Sequence, residues 1–178
     1  SAASDVYKRQ NQILSDLYVR DSVTGLYNRM GYQKLSISYF TIMREKKMPV
    51  LVMFIDLDRL KYINDTFGHE YGDFAIVSIA KAMLKHCDAD AIAARTGGDE
   101  FIVLEGAKDE ESGRVLAQKI RTELSKTQRA MQLPFDLGAS IGAVVAHPGE
   151  ENVLESYVKR AEMLMYEEKA EKKVSRDS

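Results

Sequence analysis

The sequence predicts an α/β fold of the α+β type, with a central, mostly antiparallel sheet and helices packed on its faces. Three observations predict it. Segments with helical spacing alternate with short apolar runs. One of those runs, Val50 to Ile55 (VLVMFI), is apolar without interruption and bounded by polar residues, as a strand buried on both faces must be. Two others, Ala91 to Arg95 and Phe101 to Leu104, are joined by Thr96-Gly97-Gly98-Asp99-Glu100, a hairpin connection that makes those neighbours antiparallel.

Each element follows in order. Residues 5 to 20 read as a helix, with Val6, Ile13 and Leu17 near heptad spacing. That pattern serves equally a coiled-coil stalk and a helix lying on its own domain. The polar stretch Asp21 to Arg29 follows, and Asn28 is placed to cap a helix that runs to about Lys47 and stops before Pro49. After the buried strand come a short helix from Leu60 to Asp65 and a longer one from Glu70 to His86. The hairpin is followed by a helix from Glu110 to about Arg129. A strand from Leu137 to Ala146 is expected to kink at Gly142, and a last helix runs from Asn152 to about Lys172.

Composition sets the outer limits. The 178 residues are 45% hydrophobic and 29% charged, which suits one globular domain with a substantial core. Net charge is −2, which argues against a broad basic face for nucleic acid. Cys87 is the only cysteine, so neither an internal disulfide nor a cysteine-built zinc site is available. The longest apolar run is too short to cross a bilayer, and no signal-peptide pattern opens the chain. These features predict a soluble, single-domain, cytoplasmic chain with no direct membrane contact.

Chemistry concentrates where strands end. Asp56 and Asp58 follow the buried strand, and Asp99 and Glu100 lie in the hairpin beside two glycines. If the strands are neighbours, these carboxylates converge at one sheet edge. Hard oxygen ligands without His or Cys suit Mg²⁺ or Mn²⁺, and magnesium commonly bridges carboxylates to phosphate oxygens. Gly97 and Gly98 would permit unusual backbone angles and close approach. Spacing alone leaves the other reading open, an exposed turn whose acids only solubilise it.

A second polar group, Lys61, Asn64, Asp65, His69 and Asp73, lies on or between the next two helices. Helix-start N–H groups can hold a phosphate, and an Asp with an Asn can pair with guanine. Taken alone, the same residues serve as helix caps and a solvated face. Lys169 and Lys173 share a face of the last helix and could reach phosphate oxygens, or simply complement the helix dipole. Arg95 could reach the same phosphates or form a surface ion pair.

Together these residues resemble a known family. Gly97 to Phe101 reads GGDEF, the signature of diguanylate cyclase domains. Asp21 to Arg29 (DSVTGLYNR) resembles the family's D-x-L-T-x-L-x-N-R, with Val23 for Leu. Asp56 to Asp73 (DLDRLKYINDTFGHEYGD) resembles D-x-D-x-F-K-x-x-N-D-x-x-G-H-x-x-G-D, with Leu60 for Phe. Ser140-Ile141-Gly142 resembles the S-I-G strand, and Ala161-Glu162 with Tyr166 to Lys169 resembles the closing A-D-x-A-L-Y-x-A-K. The resemblance spans residues 21 to 173, leaving 1–20 as a stalk helix and 174–178 as a tail.

The resemblance implies a palm-like fold with a five-stranded sheet ringed by helices. It implies condensation of two GTP into cyclic di-GMP, with release of pyrophosphate. Asp56, the Leu57 carbonyl and Asp99 would hold two Mg²⁺ or Mn²⁺ ions. Asp99 or Glu100 would help deprotonate the attacking hydroxyl, and Arg95 would offset developing charge. Asn64 and Asp73 would read guanine. The turn from Asp58 to Lys61, with Lys169 and Lys173, would hold the outer phosphates. One site holds one GTP, so two chains must meet around a two-fold axis. An upstream sensor region, missing from this chain, would bring them together, so the isolated domain is expected to dimerise weakly. The GTP pool places the domain in the cytoplasm, whether or not the parent protein is anchored to a membrane.

The sequence also departs from the family pattern. Many members hold inhibitory product through R-x-x-D ahead of the signature. Here Asp88 and Ala91 stand at those two positions, so no inhibitory product site is expected. The family's closing G-R-N is replaced by Lys172-Lys173-Val174, which exchanges the forked Arg for Lys173. Competing readings are a GTP-binding regulatory module that controls an attached domain, and a scaffold domain that binds no nucleotide.

Overall fold

The computed structural model describes residues 2–151 and 153–177. In chain order the elements are α1 (Ala2–Tyr18), α2 (Arg29–Glu45), β1 (Val50–Leu57), α3 (Leu60–Phe67), α4 (His69–His86), β2 (Ile92–Arg95), β3 (Glu100–Gly106), α5 (Ser112–Ala130), β4 (Ala139–Ala146) and α6 (Leu154–Asp177). The strands form one sheet in the order β2-β3-β1-β4, with every neighbour antiparallel.

All eight residues of β1 are buried, because β1 lies inside the sheet with helices over both faces. Leu51, Met53, Ile55 and Leu57 enter a core shared with residues of α4 and α5. Val50, Val52 and Phe54 enter a second core with residues of α2 and α6. The period-two alternation thus survives, but both faces are apolar and the run reads as continuous. Each large aliphatic side chain buried this way contributes roughly 1.5–3 kcal/mol.

Among the described residues the sheet has four strands, not the five that the resemblance implied. At the β2 edge, among the described residues, only Tyr27 pairs, through a single parallel bridge to Ala94. Tyr27 donates to the Ala93 carbonyl at 3.1 Å and accepts from the Arg95 N–H at 2.8 Å. The segment cannot extend further. Gly25, at φ 72°, folds the chain back just before it, and Asn28 caps α2 just after it by accepting from the Gly31 N–H.

The end of the last helix also differs. The last helix continues through Asp177 instead of stopping near Lys172, and the expected start at Asn152 lies outside the described residues. The kink expected at Gly142 is not seen, since β4 pairs with β1 without interruption. The glycine serves the helix above it. A Cβ there would lie 1.9 Å from the Ala161 carbonyl oxygen and 2.5 Å from the Met165 nitrogen. On α1, Val6, Ile13 and Leu17 are 54%, 59% and 68% exposed, so that seam is not laid on the domain's own core.

Candidate functional site at the end of the central strands

The register of β1 against β3 sets Asp56 opposite Glu100, and the Leu57 N–H donates to the Asp99 carbonyl at 2.8 Å. The acids from the two strand ends therefore do converge at one sheet edge. Asp56 is almost fully buried. Burial pushes its carboxyl above the ordinary carboxylate range, and the charges of Asp99 and Glu100 push the same way against the hydrogen bond from Lys169.

Gly97 and Gly98 serve this turn differently from expectation. Positive φ among glycines falls at Gly25 and Gly68 instead. A Cβ on Gly97 would lie 2.7 Å from Glu100 Oε2, so the glycine makes room for Glu100 to fold back, whereas a Cβ on Gly98 would meet nothing within 4 Å. Thr96 N–H closes the hairpin onto the Glu100 carbonyl at 3.0 Å. Two arginines brace it. Arg95 donates to the Gly98 carbonyl at 3.1 and 2.8 Å, and Arg29 to the Thr96 carbonyl at 2.9 and 2.8 Å. Arg95 also pairs with Asp21 at 3.3 Å.

Close packing of α6 on Gly142 brings its lysines over the acids. Lys169 Nζ lies 2.6 Å from Asp56 Oδ1. Lys172 Nζ lies 2.9 Å from Asp58 Oδ2 and 2.7 Å from the Ala139 carbonyl oxygen, while the Ser140 hydroxyl is 2.6 Å from Asp58 Oδ1. Burial pulls the Lys169 ammonium down, but the Asp56 hydrogen bond and the charges of Asp56, Asp99 and Asp58 outweigh it and lift its pKa. The partners share the pair unequally because the Asp56 side chain is 4% exposed and that of Lys169 41%. The desolvation penalty falls on the carboxylate.

A cleft of about 740 Å³ opens beside these residues. Its walls are the turn from Asp58 to Lys61, then Asp99 and Asp136, and from α6 Lys169, Lys172, Lys173 and Arg176. Six basic against three acidic side chains favour a ligand with several negative charges. Asn64 and Asp73 lie outside this lining. Asn64 is half-buried where α3 meets α4, and its Oδ1 would be 1.8 Å from a Cβ on Gly72. Asp73 is exposed on the next residue.

The donor set fits a hard divalent cation in one specific sense. Among the described residues no three His, Cys, Asp or Glu side chains gather around a common point. Asp56, Asp99 and the Leu57 carbonyl would supply only part of an oxygen shell, which is the kind of set Mg²⁺ takes when phosphate and water supply the rest. Burial first, and then the charges of Asp99 and Glu100, raise the Asp56 carboxyl, and a cation there would offset both.

Sequence reading missed Lys172, Ser140 and Asp136. Lys172 lies one turn beyond Lys169 on the same helix face, and that spacing was the available signal. At the positions ahead of the signature, the Asp88 N–H donates to Glu105 Oε2 at 2.8 Å. Burial raises the Glu105 carboxyl, and Asp88 and Asp90 add to that.

An antiparallel sheet with helices on both faces, bearing acids and facing lysines at one edge, defines a mixed α/β domain with a charged sheet-end site. Comparison with known proteins makes the assignment specific. The family described as "Diguanylate cyclase, GGDEF domain" matches residues 18–175, and the chain belongs to that family. Diguanylate cyclase VdcA of Vibrio cholerae is 34% identical over 153 residues, covering 84% of this chain and 43% of the relative. The bifunctional diguanylate cyclase/cyclic di-GMP phosphodiesterase MucR of Pseudomonas aeruginosa is 30% identical, covering 90% of this chain and 23% of the relative. The chain thus spans less than half the length of these curated relatives. The coiled coil and GGDEF domain of DgcB from Caulobacter crescentus, solved with c-di-GMP, superposes with a TM-score of 0.78. That match covers 95% of this chain and 90% of the other at 23% identity, and so speaks for the fold. Among the described residues, no helix is long and apolar enough to cross a membrane.

Proposed function

We propose that the chain is the catalytic output domain of a diguanylate cyclase, condensing two GTP into cyclic di-GMP. The observation that carries the reading is the convergence of Asp56, Asp99 and Glu100 at the strand ends, with Lys169 on Asp56, beside a cleft that Asp99 and Lys169 line together with further cations. Family membership supports the reaction class.

In this mechanism the 3′-hydroxyl of each GTP attacks the α-phosphate of the other. A P–O bond forms, the α–β anhydride bond breaks, and pyrophosphate leaves. Two Mg²⁺ or Mn²⁺ ions, held by Asp56, the Leu57 carbonyl and Asp99, would neutralise phosphate charge and acidify the hydroxyl. Asp99 or Glu100 takes the hydroxyl proton. Lys61, Lys169 and Lys173, with the turn at Asp58, hold the outer phosphates. Arg95 stabilises the developing charge from the hairpin that it braces. Asn64 and Asp73, where α3 meets α4, read guanine. Because the cleft is open and holds one GTP, two chains meet across a two-fold axis, with α1 as the stalk that brings them together. The domain proper is residues 21–173, and an upstream sensor is a further partner.

A second reading is a GTP-binding regulatory module that tunes an attached domain; in MucR cyclase and phosphodiesterase activities share one chain, so such attachment has a parallel among the relatives. The test is incubation of concentrated protein with GTP and Mg²⁺, with product followed by chromatography and Asp99→Ala as control. Cyclic di-GMP from the wild type alone is the expected result. GTP-dependent thermal stabilisation without product would select the regulatory module, and neither would overturn both.

A further inference from the structure

We propose that Lys172 is a positioning residue of the nucleotide site. It fixes the Asp58 carboxylate, and through it the turn against which the outer phosphates rest, without itself holding phosphate. The assignment rests on the GTP-binding reading above.

The Lys172 ammonium donates to Asp58 Oδ2 at 2.9 Å and the Ala139 carbonyl at 2.7 Å, lies 3.5 Å from the Ser140 hydroxyl and pairs with Glu168 Oε1 at 3.1 Å. Four protein oxygens thus surround an ammonium with three protons, and they turn it toward the protein rather than toward a phosphate. Asp58 is equally committed. Its Oδ1 accepts from the Ser140 hydroxyl at 2.6 Å, its Oδ2 faces Lys172, and its N–H donates to the Gly138 carbonyl at 2.9 Å. The side chain is buried, turned toward β4 and α6.

The chain leaves Asp58 into Arg59 at φ 61°, a left-handed conformation that a non-glycine residue keeps only where its surroundings impose it. Lys172 is part of that imposition, and it is anchored from behind. Arg121 reaches both Glu168 oxygens at 2.7 Å, and the Ile141 N–H donates to Glu168 at 2.9 Å. Arg121, Glu168, Lys172 and Asp58 form a row of alternating charge from α5 through α6 to the end of β1. The lysines of α6 therefore divide their work. Lys169 faces Asp56, Lys173 stands exposed at the cleft, and Lys172 holds the turn.

The test is a double-mutant cycle read in Mg²⁺–GTP affinity by calorimetry, with melting temperature recorded for each variant. The variants are K172M, D58N, the K172M/D58N pair and the conservative K172R, all in the full chain. K172M should weaken GTP binding about tenfold, and K172R should recover most of it. The double variant should bind about as weakly as the worse single one. Additive losses would mean that Lys172 contacts phosphate directly, and would overturn the assignment. A lowered melting temperature with unchanged affinity would reduce Lys172 to a structural strut, and would also overturn it. If K172M fails to fold, K172Q is read by the same criteria. A wild type that binds no GTP would instead remove the reading on which the assignment rests.

Discussion

Lys169, on the last helix, holds its ammonium 2.6 Å from Oδ1 of Asp56, at the end of the central strand. One partner is nearly dry and the other reaches water. The pair is thus a poor stabilising device, because the buried acid bears a desolvation penalty that a single lysine does not cancel.

Asp56→Asn should raise stability while abolishing Mg²⁺-dependent GTP binding. The Asp56 carboxyl is raised in the fold, so the native state binds its proton more tightly than the unfolded chain does. Stability therefore falls as pH rises from the ordinary carboxylate value through the raised one, and stays lower above it. Removing the charge should lift the melting temperature by about 2–4 °C at neutral pH. The gain should vanish in acid, where the wild type is protonated. Scanning calorimetry across that range checks the sign. Metal-dependent GTP binding by the wild type should weaken over the same window as Asp56 takes up its proton.

Asp21→Asn should do the opposite to stability. Burial would raise the Asp21 carboxyl. The Thr24 hydroxyl at 2.7 Å, the Thr24 N–H at 2.8 Å and the Arg95 charge outweigh it and hold the pKa below the ordinary value. Its contribution is present above the unfolded value and is lost as pH falls through the lower folded one. The variant should lose about 1 kcal/mol at neutral pH and approach the wild type in acid, as denaturant titrations at two pH values would show.

Gly142→Ala and Gly98→Ala should separate packing from signature. The first forces a Cβ to within 1.9 Å of the α6 backbone and should cost about 3 kcal/mol or more, displacing the lysines with the helix. The second meets open space at a position without positive φ. It should leave the unfolding free energy from urea titration within about 0.5 kcal/mol of wild type.

Cyclic di-GMP should not inhibit through the surface around Asp88. Asp88 and Asp90 lie beside Glu105, so the expected product contact is a cluster of acids facing an anion. Titration calorimetry should show no binding that Asp88→Ala or Asp90→Ala removes. Micromolar binding lost in either variant would contradict this.

Much of the architecture was legible because it depends on short-range pattern. The VLVMFI run could only be a strand covered on both faces, and the Gly-Gly-Asp connection required antiparallel neighbours. The sequence left the adjacency of β1 and the hairpin as a condition, and the structure meets it by setting Asp56 opposite Glu100. Asn28 capped its helix because capping involves residues only three apart. The missing fifth strand was not legible, since Tyr27 had the composition to pair but the chain around it had no room.

The sequence by itself determined the two-sided central strand and the hairpin, consequences of period and turn chemistry, and located the acids at the strand ends; that β1 lies beside β3, so that the acids meet, is a long-range pairing. Only the tertiary structure decided which lysine meets which acid. That choice depends on how closely α6 approaches β4, and the approach is set by the bare backbone at Gly142. A contact between two elements far apart in the chain leaves no local trace in either. Gly142 looked like a bend in its own strand, and Lys172 like one more charge on a solvated helix, until the packing of helix on sheet put them to use.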